Sequence, residues 1–88
     1  MMNTIKQDWK ERILENFRKI EELEVKKRQE REKMVEYVNQ EQYDSYLFLE
    51  REVMKIDTEI EELWANIRVN RERWKIERVV HKDKKPNG

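Results

Sequence analysis

The chain has no cysteine, one glycine, one proline and no long apolar run among its 88 residues. Without cysteine there are no disulfides, no thiolate metal ligands and no thiol nucleophile. The proline and glycine are Pro86 and Gly88, so nothing in residues 1–85 breaks a helix. Collagen-like, sheet-rich and Gly/Ser-linker compositions are excluded on the same ground. The lack of an apolar run excludes a membrane-spanning helix. The N-terminus shows no apolar core of a signal peptide, so the expected location is the cytoplasm. Histidine occurs once, serine once and threonine twice, which leaves little from which to build an activated nucleophile beside a base.

What the chain does have is charge. Charged residues make up 45% of it, twenty basic against twenty acidic, and its mean hydropathy is −1.22. About half of the rest is Leu, Ile, Val and Met, and a composition rich in Glu, Lys and Arg favours long helices. A domain this small buries only part of its surface, so a partner or a second copy is expected to complete it.

The second half carries the clearest periodicity. Tyr46, Leu49, Val53, Ile56, Ile60, Leu63, Ile67, Asn70 and Trp74 alternate spacings of three and four without a slip, the pattern of a helix that pairs with others. Leu49, Val53, Ile56, Ile60, Leu63, Ile67 and Trp74 are accordingly expected to form the oligomer seam. Asn70 is either a polar register-setting position within it or the mark of a partly exposed helix end. In the first half Ile5, Trp9, Ile13, Phe17, Ile20 and Leu23 form an apolar stripe, after which Lys26 to Lys33 is entirely polar. Such a run reads as a solvated helix surface.

Helix ends must be read from caps. Thr4 with Gln7, and Asn39 with Gln42, have the spacing of a capping box, and Val38 and Tyr43 flank the second as a hydrophobic staple. These place helix 1 at about 4–38, a turn at about 39–45 and helix 2 at about 46–80, with 1–81 as one hairpin and 82–88 as a disordered basic tail.

Charge tests the fold-back independently. Residues 1–35 hold ten Lys/Arg against eight Asp/Glu, residues 36–67 two against nine, and residues 68–88 eight against three. If the chain turns near residue 42, residues whose numbers add to about 84 face each other. Lys27 then meets Asp57, Trp9 meets Trp74, Glu11 lies beside Arg73 and Ile20 lies beside Trp64. An exposed ion pair contributes only ~0 to 1 kcal/mol, so these charges choose orientation while apolar contact must hold the fold. The expectation is therefore an all-α antiparallel helical hairpin. The polar run cannot cover Val53, Ile56 and Ile60 well, so dimerisation into a four-helix bundle or antiparallel coiled coil should follow. One unbent helix forming an extended coiled coil is the competing architecture.

Little in the chain suggests chemistry. Ser45 falls at the expected turn, where it serves as a cap, and His81 stands alone on a basic tail. One glycine cannot build a phosphate-binding loop, and no Glu-x-x-His pair of a di-iron bundle occurs. No cofactor, metal or small-molecule ligand is therefore expected. The stretch Val53-Met54-Lys55-Ile56-Asp57 is similar, at its last two positions, to the Ser-Gln-Glu-Leu-Asp signature of the small aspartyl-phosphate phosphatases that control sporulation in bacilli. Those proteins are helical hairpins of this size, and the resemblance implies a catalytic role for Asp57. The other signature positions and the usual turn glycine differ, so the family is not assigned and Asp57 is read as the partner of Lys27.

Two surfaces remain as functional candidates. Tyr43, Phe48, Met54 and Trp64 lie off the main seam and form a candidate partner-docking patch, aromatics and Met being enriched where proteins dock. Arg68, Arg71, Arg78 and Lys82 concentrate positive charge near Trp74 and could hold phosphates. The chain's neutrality and its pI near 6.6 weigh against nucleic acid. The expected function is a non-enzymatic protein-interaction module, a small regulatory adaptor, inhibitor or assembly factor that binds itself and then another protein. A nucleic-acid-binding hairpin is the alternative.

Overall fold

The computed structural model describes residues 8–84, with side chains described through Val79. Two helices make up the described chain, α1 (Asp8–Asn39) and α2 (Tyr43–Lys84). They pack against each other as an antiparallel hairpin measuring 71 × 22 × 15 Å. The unbent single helix is thereby excluded. Helix α2 continues through residues 82–84, where a disordered tail was expected, since no breaker precedes Pro86. The expected Thr4 cap and Ile5 lie outside the described residues.

The turn is tighter than the caps suggested and occupies only residues 40–42. Asn39 is the last residue of α1 and does not cap α2. Gln42 N–H donates to Tyr37 O at 2.9 Å and Glu41 N–H to Val38 O at 3.0 Å, the paired bonds of a Schellman motif. That motif requires a left-handed residue, and Glu41 supplies it with φ of 56° in the place where glycine is usual. A residue with a Cβ there costs ~1 kcal/mol, which the two hairpin arms offset. The chain then enters α2 at once, with Tyr46 N–H donating to Gln42 O.

The seam of α2 follows its periodicity. Leu49, Ile56, Ile60 and Ile67 are buried, Val53 and Leu63 are half-buried, and Trp74 is half-exposed near the open end. Ile20, Ile56, Ile60 and Ile67 form the core cluster, with Ile13, Leu23 and Leu63 packed against it. Asn70, only 2% exposed, belongs to the interior and not to a frayed end.

The seam of α1 differs from the expected stripe. Asn16 is buried, while Phe17 sits on the flank at 44% exposure. From Trp9 onward the buried and half-buried positions run Trp9, Ile13, Asn16, Ile20, Leu23, Lys27, Glu30, Met34 and Tyr37, alternating four and three as the seam spacing of α2 does. The polar run is thus not wholly solvated. Lys27 and Glu30 occupy seam positions, and the other six residues of the run are exposed.

Cross-helix contacts fix the register. Trp9 stacks on Trp74 with centroids 5.0 Å apart and planes 8° from parallel. Lys27 Nζ lies 2.6 Å from Asp57 Oδ1, and Phe17 meets Trp64 edge-on at 5.7 Å. Two expected neighbours are replaced. Arg73 lies 3.9 Å from Asp8, where Glu11 was expected. Trp64 takes Phe17 and not Ile20, because Ile20 points into the seam while Trp64 stands on its flank.

Candidate interaction surface

In heptads written abcdefg with the seam at a and d, antiparallel helices place the e and b positions of both on one long flank and g and c on the other. The two flanks are built from different residues.

The g and c flank is polar. Arg12 and Lys19 of α1 and Glu59, Glu62 and Asn66 of α2 line a shallow cleft there, floored by Asn16, Leu23 and Leu63. Within it Asn66 Oδ1 accepts from Asn16 Nδ2 at 2.7 Å and from Asn70 Nδ2 at 3.0 Å. Asn70 Nδ2 also donates to Asn66 O at 2.9 Å, while Asn70 Oδ1 finds no donor among the described residues. This amide cluster was missed at the sequence level, because Asn16 reads as polar surface unless the four-three alternation is followed through it. The bond between helices joins buried Asn16 to exposed Asn66, and a shift in register would break it and strand the Asn16 amide in the core.

The e and b flank is apolar at two places. Leu14, Phe17 and Trp64 form one cluster toward the open end, and Val35, Val38 and Tyr43 form another at the turn, with Met54 further along α2. Near the turn, Met34, Val35, Val38 and Tyr46 line one groove, and Tyr37, Val38, Tyr43 and Tyr46 line its continuation. Seven of the thirteen exposed large apolar residues among the described positions stand on this flank, against three, Phe48, Val69 and Ile76, on the other. Exposed large apolar side chains are thus concentrated on one flank among the described residues.

The docking patch expected from sequence is therefore divided. Tyr43, Met54 and Trp64 stand on the e and b flank, but Phe48, 61% exposed, lines a depression with Lys33 and Tyr37 on the opposite side. Phe48 and Met54 are six positions apart, which sets them about 120° apart around the helix. Sequence proximity grouped residues that helix geometry separates. Leu14, Val35 and Val38 were not recognised because each lies one position off an apparent stripe.

The basic candidates stand on exposed helix surface. Arg68, Arg71 and Arg78 are exposed, and Arg71 lies 3.4 Å from its neighbour Glu72. The side chain of Lys82 lies outside the described residues. Trp74, the aromatic expected among them, is stacked on Trp9, and the Trp9 indole N–H donates to Glu77 at 3.2 Å. Both rings are thereby engaged within the hairpin.

The charged surface shifts two groups. Tyr46 Oη donates to Glu50 Oε2 at 3.0 Å, and that hydrogen bond, reinforced by the carboxylate charge, raises the Tyr46 pKa above the ordinary phenol value. The Arg18 guanidinium, bonded to Glu15 and near Glu22, is raised further above its already high value. Neither shift prepares a group for proton transfer near neutral pH. Among the described residues no three His, Cys, Asp or Glu side chains converge as a metal site, and no helix is long and apolar enough to cross a membrane. The chain matches no protein-family model, no curated protein and no solved structure.

Proposed function

We propose that this chain is a non-enzymatic helical interaction module of the cytoplasm, a small adaptor, inhibitor or assembly factor that packs a face of its hairpin against other helices. Its first partner is a second copy and its second another protein. The observation that carries this reading is the unequal pair of flanks, one mainly polar with only Phe48, Val69 and Ile76 as exposed large apolar residues, the other with Leu14, Phe17, Val35, Val38, Tyr43, Met54 and Trp64 exposed. Removing such side chains from water contributes ~25 cal/mol per Å² of apolar area, which a lone hairpin forgoes.

Affinity capture of tagged protein from an extract of its source cells, with and without nuclease, tests the reading when run beside a Val35→Glu/Val38→Glu variant. A discrete protein held by the parent in both samples and lost by the variant supports it. Equal recovery by the two overturns it. The basic stripe Arg68, Arg71, Arg78 and Lys82 supports the nucleic-acid alternative through the exposure of its first three members. That alternative predicts salt-sensitive retention on an RNA or DNA column, abolished by changing Arg71, Arg78 and Lys82 to Gln, and no retention at low salt ends it.

A further inference from the structure

Along the e and b flank, α1 reads Leu14, Phe17, Glu21, Glu24, Arg28, Arg31, Val35, Val38. This order is self-complementary when read against itself backwards. Residues whose numbers add to 52 then pair as Leu14 with Val38, Phe17 with Val35, Glu21 with Arg31 and Glu24 with Arg28. Apolar meets apolar at both ends, and acid meets base twice in the middle. Leu14 and Val38 are 57% and 59% exposed. None of Glu21, Glu24, Arg28 and Arg31 takes part in an ion pair among the described residues, although Glu24 and Arg28 stand one helical turn apart.

We infer that this face is a two-fold interface with a second copy of the chain, the two hairpins lying antiparallel so that the turn of one reaches toward the open end of the other. The inference rests on the self-association proposed above and adds its face and polarity. A two-fold axis crossing the face between Glu24 and Arg28 sets α1 on α1 and α2 on α2, and makes all four pairings twice. Asp57 falls near the same axis on α2, where two copies would approach, and Lys27 already neutralises it at 2.6 Å. Trp64 comes within about one turn of Met54 of the second copy. The parallel alternative, with both turns at one end, sets α1 on α2 and brings Leu14, Phe17 and Val35 level with Arg71, Arg68 and Glu50, and Glu24 level with Glu61; only Arg28, level with Asp57, gains an opposite charge. Those three apolar residues then face charged groups and find no apolar partner, so apolar matching chooses the antiparallel form.

The dimensions suit a specific dimer. Leu14 to Val38 spans about 36 Å at 1.5 Å per residue, and the hairpin is 22 Å across. The resulting footprint of about 800 Å² matches the ordinary share of each partner in a specific complex.

The absence of cysteine makes the test clean. Leu14→Cys and Val38→Cys variants of the full chain are oxidised separately and as a mixture, and the mass of the unoxidised parent is followed with concentration. The inference expects a dimer mass, a disulfide heterodimer in the mixture and little linkage in either variant alone. In the parallel form the two positions lie about 36 Å apart and the mixture does not link. A dimer mass without the mixed disulfide therefore overturns the face or its polarity and leaves self-association standing. A monomer at every concentration overturns the inference, while the capture experiment still decides whether the chain binds another protein. Charge reversal supplies a second readout. Glu21→Lys alone should weaken the dimer about tenfold, and adding Arg31→Glu should restore it. A double variant as weak as the single one overturns the Glu21 and Arg31 pairing.

Discussion

The two helices meet along one seam but furnish it differently. From Leu49 to Ile67 every seam position of α2 is apolar, whereas α1 passes through Asn16, Lys27 and Glu30. Near the open end both helices contribute, and Ile20, Ile60 and Ile67 are buried together. Toward the turn, Lys27 and Glu30 stand at the levels of Ile56 and Val53. Ile56 is nevertheless only 4% exposed and joins Ile20 in the core cluster, while Lys27, half-buried at its level, sends its ammonium to Asp57, as a lysine does when its stem lies on apolar surface and its head reaches water. Glu30 does less well, since its Oε2 is buried and finds no donor among the described residues. The lesson is that an apolar wall on one helix suffices where the other supplies long stems, at a cost wherever a charged head is drawn in.

The largest expected effect comes from breaking the well-furnished half. Ile60→Asp places an unpaired carboxylate in the core and should cost more than ~3 kcal/mol, enough to unfold a two-helix domain. Circular dichroism would show it, and an unchanged melting temperature would remove Ile60 from the seam.

Next is the amide cluster. Asn70→Ala takes both hydrogen bonds from Asn66 and leaves a small void, for an expected loss of about 1 to 3 kcal/mol by thermal melting. Asn39→Ala, at the exposed end of α1, serves as the control and should change little.

Glu30→Leu would make the two walls more alike. It replaces an unsatisfied carboxylate with an apolar side chain opposite Val53, and should stabilise the hairpin by about 1 kcal/mol, seen as a rise of roughly 4 to 8 °C in Tm. A fall in Tm would mean that Glu30 is not a seam residue.

The smallest effect lies near the turn. The fold favours the neutral Tyr46 phenol through its bond to Glu50. That contribution is fully present below the unfolded tyrosine value of ~10 and is lost as pH rises through the higher folded value. Glu50→Gln should therefore move the Tyr46 component of the phenolate absorbance titration downward. An unmoved curve would show that the bond is not held in solution.

Much of this was legible in the chain. The four-three alternation from Tyr46 to Trp74, the fold-back register and the Lys27 to Asp57 pairing follow from residue type and charge order, because helical geometry turns spacing directly into facing. The turn was less legible, since a Schellman end with Glu41 in the left-handed region lacks its usual glycine signal. Asn16 and Glu30 were hidden because a polar residue gives no apolar mark when it enters a seam.

The sequence by itself determined helix, hairpin and orientation. Long unbroken stretches of helix formers, two apolar stripes and opposed charge blocks leave few other ways to bury the isoleucines. Only the tertiary structure decided which side chains remain outside. Phe17, Leu14 and Val38 differ little in kind from Ile13 and Ile20, and it is the rotation of each helix about its axis, set where the two walls mesh, that buries one set and leaves the other facing water.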